Sequence, residues 1–394
     1  MLAELLLALL AGIFAGIITG LTPGIHINLI GAFLISTSAT LFFKIPGIYL
    51  VIFIVSMAIT HTFLDFIPSI LLGCPDTDTE LSILPGHELL KKGKGYEAIL
   101  LSAYGGLAAI IIFVIVSFPS IIIMRKVFPL LKQVMPYLLI FVSILLILTE
   151  RKKSNALIVF LLTGALGWIV STLTLKQPLF PLLTGLFGSS TLLLSIKNKT
   201  KIPKQRIVKT KPPIKKPLLG ALIASPLCSF LPGLGSGQAA VIGNLISNTN
   251  RKGFLVLLGA TNTLVMGFSF LSLYAVSKTR TGAALAIKHL ANITSQKEII
   301  LIIMTTLLVG GIAFFLTKHI GILFSKKIDK INYKYLSIIT LLILSLLIFL
   351  ISGIKGFFVF VISTITGMYS ISLKVKRTNM MGALLIPTIL FYLH

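Results

Sequence analysis

The sequence predicts an all-α polytopic membrane protein made of two copies of one unit, and three observations carry that expectation. Of 394 residues, 56% are hydrophobic and 11% charged, whereas soluble domains carry about 25% charged residues. Apolar runs recur from end to end, among them Ile110–Ile123, Tyr137–Thr149, Ile299–Thr317 and Tyr335–Ser352 with their flanks. A membrane helix needs about 20 mostly apolar residues. Short motifs also recur in the same order at an offset near two hundred residues. Helices follow because lipid leaves the backbone no outside partner. The short alternating strands of a membrane barrel are not seen in the sequence.

The formal charge of +25 does not indicate nucleic-acid binding. The cations lie in short loops between apolar runs, most densely over Lys197–Lys216. That is the pattern of the positive-inside rule, and no separate soluble stretch is long enough to hold nucleic acid. Cys74 and Cys228 stand far apart in apolar surroundings, which predicts buried thiols rather than a disulfide framework or a metal site. Met1-Leu-Ala-Glu4 has no basic n-region and no small-residue cleavage pattern, so a first membrane segment is expected there.

Five motif pairs define the repeat. Leu21-Thr-Pro-Gly-Ile-His-Ile-Asn28 is matched by Phe230-Leu-Pro-Gly-Leu-Gly-Ser-Gly-Gln238, each followed by an apolar stretch ending Leu-Ile-Ser, at Ser36 and Ser247. Thr60-His-Thr-Phe63 is matched by Thr261-Asn-Thr-Leu264, and Thr77-Asp-Thr79 by Thr279-Arg-Thr281. Val159–Gly164 answers Val361–Gly367, and Gly185–Thr191 answers Gly382–Thr388. The boundary is residues 196–217, with nine Lys or Arg, no acid and four prolines. Like charges and proline oppose a packed helix there, so 196–217 reads as a solvated cytoplasmic linker between a first repeat, 1–195, and a second, 218–394.

Charge also indicates how the repeats are related. Arg151-Lys-Lys153 is rich in cations and lone Lys176 is not; their counterparts are Gly353-Ile-Lys355, with one cation, and Lys374-Val-Lys-Arg377, with three. The basic bias changes sides, which inverted repeats require. About seven apolar segments per half, an odd number, agree with inversion. Some are short enough to be broken or re-entrant, so twelve to fourteen helices are expected.

Inverted-repeat transporters form their substrate site from helices that break at corresponding positions of both halves. Pro23-Gly24 and Pro232-Gly233 interrupt apolar runs in this way, since proline removes a helical donor and glycine admits unusual backbone. Amides freed at a half-helix N-terminus attract anions. Candidate substrate contacts are therefore Pro23, Gly24, His26, Asn28, Pro232, Gly233, Gly235, Ser236, Gly237 and Gln238; the alternative is a plain kink. Asn244 flanks the second break. The Thr-x-Thr motifs add Thr77, Thr79, Thr279, Arg280 and Thr281, with Asn262 from the Thr-Asn-Thr motif. Arg offers a bidentate fork to carboxylate or phosphate. Asp78 and Arg280 occupy equivalent positions with opposite charge. They either pair, or divide substrate and ion between them, or are interfacial loop charges.

Ionisable groups at membrane depth are rare and usually functional. His61 and Asp65 are four apart, hence on one helical face, and suit a coupling proton or cation, with a structural hydrogen-bonded pair as the alternative. Asp78 joins them as an ion-coupling candidate. His289 and His319, beside Lys288 and Lys318, are expected at the interface. No Ser/His/Asp constellation, metal spacing, Walker A motif or Rossmann fingerprint is present. The chain therefore reads as a secondary transporter rather than an enzyme, with no cofactor beyond a coupling proton or sodium ion. A flippase for a lipid-linked phosphate and a non-transporting scaffold stay open as alternatives.

These motifs resemble the large membrane subunit of the tripartite tricarboxylate transporters. The resemblance lies in Leu231-Pro-Gly-Leu-Gly235, and in Pro75-Asp-Thr-Asp-Thr79, Pro85-Gly86 and Lys91-Lys-Gly-Lys-Gly95, leading to Ala98, Ser102 and Gly105-Gly106. The first Pro-Gly departs from the pattern, being followed by Ile-His-Ile-Asn rather than a second glycine. The resemblance implies a multi-pass cell-membrane permease for a di- or tricarboxylate. It also implies two partners, a small membrane subunit and an extracytoplasmic binding protein.

Overall fold

The computed structural model describes residues 2–22, 31, 34, 45–73, 79–175, 177–197, 202–208, 210–229, 235–279, 281–291, 295–328 and 333–393. Every regular element among them is helical. In the first half they are α1 (Leu2–Leu21), α2 (Gly47–Leu64), α3 (Phe66–Leu72), a 3-10 turn (Glu80–Ser82), α4 (Ile83–Lys91), α5 (Gly95–Leu148), α6 (Lys153–Thr172), α7 (Leu179–Leu183), a π-helical turn (Thr184–Ser189) and α8 (Ser190–Lys197). The second half contributes α9 (Lys215–Ser229), α10 (Ser236–Ser247), α11 (Arg251–Val276), α12 (Gly282–Leu290), α13 (Gln296–Lys327), α14 (Tyr333–Ser372), a 3-10 turn (Arg377–Met381) and α15 (Gly382–Leu393).

The order repeats. The stretch Gly47–Leu72 and helix α11 are both 26 residues long, and α4 and α12 are both nine. The 54-residue α5 would measure about 80 Å as a straight rod, far more than a bilayer core. It holds two apolar lengths, Gly95–Val127 and Gln133–Leu148, on either side of Arg125–Lys132. In the second half the matching lengths are α13 and the first limb of α14. Helix α14 then breaks at Gly353, whose φ of +67° is open to glycine and strained for other residues. Among the described residues seven helices are long and apolar enough to cross a membrane. The other apolar segments in the sequence-based tally fold as shorter pieces such as α9, α10 and α15, of 15, 12 and 12 residues.

The contacts group the chain into two compact units, each drawing on both halves. One comprises 1–67, 99–128 and 209–322, the other 68–98, 129–208 and 323–394. In the first unit Gly12, Gly16 and Gly20, four apart on α1, let α2 approach so closely that a Cβ on any of them would press on Phe53 to Leu64. Gly220 and Gly243 meet backbone to backbone, bringing α9 onto α10, while Gly105 on the Val256 carbonyl and Gly259 on the Ser102 carbonyl bring α5 onto α11. Small residues serve this purpose where lipid removes the hydrophobic drive between helices. Helix α11 starts on the Asn250 side chain, whose Oδ1 accepts from Gly253 N at 2.9 Å. Pro68 cannot donate to Leu64, and the helix steps from α2 to α3 at Asp65.

The second unit is built from reciprocal contacts. Gly382 sits against the Phe160 carbonyl, and Gly185 against the Phe360 carbonyl. These are the same contact with the halves exchanged. Gly164 on Ile386 and Gly367 on Leu186 repeat the pattern. At one end of α6 Glu150 Oε1 accepts from Lys376 N at 3.0 Å and from Asn379 Nδ2 at 3.2 Å. Just beyond its other end Ser352 Oγ donates to Gln177 O at 3.4 Å. The basic segment 202–208 is not a free tether. Gln205 is buried, accepts from Gly95 N at 2.7 Å and donates to Leu90 O at 3.1 Å, while Arg206 N donates to Gly93 O at 2.8 Å.

Gly259→Ala drives a methyl into the Ser102 carbonyl, whereas Gly311 faces open space. Thermal unfolding in detergent is expected to show a loss of about 1–3 kcal/mol for Gly259→Ala and no loss for Gly311→Ala.

Candidate functional site

Most spans present apolar side chains outward. Only 17% of the apolar window of α1 is buried, and 28% of that in α14. The stretch Gly47–Leu72 and α11 differ: 94% of each window is buried. These two also hold the polar residues. Ser56, Thr60, His61, Thr62 and Asp65 are buried on the first, and Thr261, Asn262, Thr263, Ser269 and Ser272 on the second. Polar side chains inside a membrane survive only where protein, not lipid, surrounds them.

Within the first unit the two rows meet. Asn262 Nδ2 donates to Asp65 Oδ2 at 2.8 Å and to the Thr62 carbonyl at 3.3 Å. Asp65 and Asn262 are each 3% exposed. One turn earlier, His61 Nδ1 and Thr19 Oγ1 of α1 share a 3.1 Å hydrogen bond. Asp65 N donates to His61 O, so the two side chains leave one helical face in succession. Thr263 Oγ1 and the Phe63 ring close on Gly106 of α5, where no Cβ would fit. The result is a buried cluster of imidazole, carboxylate, amide and hydroxyl groups.

The second predicted group lies around α10. Gly235, Ser236, Gly237 and Gln238 form its N-terminus, which is buried. Gln238 Oε1 accepts from Gly235 N at 2.7 Å, so this side chain caps its own helix. Thr281 similarly caps α12, accepting from Ala284 N at 3.2 Å, and Thr279 is half-buried. Gly31 abuts Gly282, at the start of α12, so tightly that a Cβ on it would strike the Gly282 backbone. Asn244 accepts from Thr249 N and Oγ1, a C-terminal cap of α10. His289 and His319 are exposed, and Cys228 is buried. Thr79 belongs to the second unit, where its hydroxyl meets Ser69 at 2.6 Å. Pro23, Gly24, His26, Asn28, Thr77, Asp78, Pro232, Gly233 and Arg280 lie outside the described residues. Among the described residues no three His, Cys, Asp or Glu are grouped to hold a metal ion.

Residues 6–382 match the sequence model of the tripartite tricarboxylate transporter TctA family. The chain belongs to that family. An uncharacterized protein of Methanocaldococcus jannaschii is 33% identical over 388 residues, covering 94% of this chain and 95% of that protein. No solved structure matches. This TctA-family chain is thus a component of a membrane transporter, multi-pass by the seven apolar spans among its described residues. The family is part of a tripartite system, so partner proteins are consistent with membership.

Sequence reasoning about this TctA-family chain missed two participants. Thr19 carries one hydroxyl in an otherwise apolar helix, and nothing marks it until α1 is packed on α2. His87, in the second unit, sits against Gly73. Burial first, then the cations Lys91 and Arg377, lower its imidazole from 6.5 to about 3. The folded chain therefore keeps His87 neutral where the unfolded chain takes up a proton, and this contribution is lost as pH falls below about 6.5.

Asn262→Leu is expected to lower stability by about 1.5–3 kcal/mol, the usual value of a hydrogen bond to a charged group, with partial recovery in the exchanged pair Asp65→Asn/Asn262→Asp. Thermal unfolding of the three variants reads both. Unfolding midpoints are also expected to fall between pH 7 and pH 4, less steeply in His87→Gln than in the parent chain.

Proposed function

We propose that this TctA-family chain is the solute-conducting subunit of a gradient-driven permease for a small organic anion, a di- or tricarboxylate. The observation that carries the reading is the buried Asp65–Asn262 hydrogen bond between the two spans that hold the membrane-depth polarity of the first unit. A carboxylate in that position takes part in binding a coupling proton or sodium ion, with His61 one turn away. The buried N-terminus of α10 presents the positive end of a helix to an anionic solute. Arg280, between Thr279 and Thr281, supplies a fork for a carboxylate.

The end contacts of α6 support inverted repeats. Position 150 meets 376 at one end, and 177 meets 352 beyond the other, about 30 Å away by helix rise. Under the repeat, 150 corresponds to 351–352 and 376 to 176, so equivalent positions fall at opposite ends. The Glu150–Lys376 contact also supports a topology with 151–153 and 374–377 on one side, as the positive-inside rule prefers. In the cell membrane, a small membrane subunit and an extracytoplasmic binding protein complete the system.

The test is uptake of labelled citrate and succinate into proteoliposomes holding the chain with both partner subunits, under an inward proton or sodium gradient. Gradient-dependent uptake is expected, with Asp65→Asn losing the gradient dependence and Arg280→Ala losing uptake while remaining folded. No uptake of any di- or tricarboxylate under either gradient would overturn the reading.

A further inference from the structure

The second unit holds a cation that the transport reading leaves unused. Arg377 opens the 3-10 turn Arg377–Met381 and is half-buried. Its Nη1 donates to Thr191 Oγ1 and, at 3.5 Å, to the Phe187 carbonyl. Thr191 Oγ1 in turn donates to Phe187 O at 2.6 Å, which leaves its lone pair to receive Arg377. The guanidinium is thereby fixed through one nitrogen, and it forms no ion pair with any described residue. Its Nε and Nη2 make no hydrogen bond to any described residue.

Burial lowers the Arg377 guanidinium from its ordinary value to about 10. A neighbouring carboxylate would raise it instead. A cation withdrawn from water without an anion is costly, and the side-on Nε–Nη2 edge is the one that grips a carboxylate with two parallel bonds.

The surroundings match. Phe187 belongs to the π-helical turn Thr184–Ser189, and such turns recur at functional sites. Ser189 Oγ of the same turn meets Thr364 Oγ1 of α14 at 2.5 Å. Arg377 also acts on His87, as one of the cations that hold that imidazole neutral. Arg377 is therefore held at the π-helical turn and lies near enough to His87 for its charge to be felt there.

We propose that the open Nε–Nη2 edge of Arg377, anchored at Thr191 and the π-helical turn, binds a carboxylate group of an organic anion. The choice of carboxylate rests on the transport reading; the presence of an anion site does not. Phosphate, from a lipid headgroup or free, shares the chemistry and enters the test.

The purified chain is titrated with citrate, succinate and inorganic phosphate, following the rise in unfolding temperature, and the same variants are assayed for citrate uptake. Citrate is expected to stabilise the parent chain. Arg377→Gln should bind it roughly ten- to a hundred-fold more weakly, and Arg377→Lys, which keeps the charge and loses the fork, should fall between. If Arg377→Gln does not fold, Arg377→Lys carries the test. Parent-like citrate affinity in the variant that folds would overturn the site, even with uptake intact. Stabilisation by phosphate alone would overturn the carboxylate assignment. Arg377-dependent citrate binding without uptake would support this site while removing the transport reading.

Discussion

At membrane depth every polar group has to find its partner inside the protein, and the arrangement of this chain follows from that constraint. Lipid accepts the apolar faces of α1, α5, α13 and α14, which carry long rows of exposed Leu, Ile and Phe. It does not accept Asp65, His61 or Asn262. Those residues sit on the two stretches that are almost wholly enclosed, and the Asn262 amide meets the Asp65 carboxylate there. Enclosure and polarity occur together because one requires the other. The same constraint explains the hydroxyls, most of which donate to a carbonyl three or four residues back, such as Ser117 to Phe113 and Thr163 to Val159.

Enclosing two helices demands close approach, and glycine supplies it. In the first unit, Gly12, Gly16 and Gly20 seat α1 on α2, Gly105 and Gly259 join α5 to α11, and Gly220 meets Gly243. In the second, Gly164, Gly167 and Gly382 lock α6 to α15, and Gly185 and Gly367 do so for the π-helical turn and α14. These contacts place backbone against backbone or directly against a side chain. Such surfaces have few alternative packings, so they fix the register in which polar side chains such as Asp65 and Asn262 face one another.

The helical class and the membrane were legible because composition and run length report directly on solvent. The sequence motifs that recur include glycines, and several of those glycines sit at close helix contacts. Asp65 stood out as an acid in an apolar run, and Asn262 by its place in the repeat. Their meeting was not legible, since 197 residues separate them in the chain and only packing brings them together. Nor can a sequence say whether a polar side chain faces a ligand or its own backbone: Gln238 and Thr281 read as solute contacts, and each caps its helix. Arg377 was hidden for another reason. In Lys374-Val-Lys-Arg377 it looks like one more interfacial cation. Its neighbour Lys376 does point outward, 65% exposed, while Arg377 turns inward to Thr191.

The two halves agree where backbone packs and differ where polarity matters. Gly382 on Phe160 and Gly185 on Phe360 are one contact seen twice. At the corresponding polar corners the residues diverge: Glu150 beside Lys376 and Asn379 at one end, Ser352 beside the Gln177 carbonyl at the other. Near Thr191 stands Arg377, whereas 176–177 in the equivalent stretch is Lys-Gln. Packing permits only glycine at its tightest points, so duplication preserves those positions. A polar corner needs only local satisfaction, so its residues are free to change. Asp65 and Arg377 are two such residues: the matching stretches of the other half, after Leu264 and at 176–177, hold no acid and no arginine.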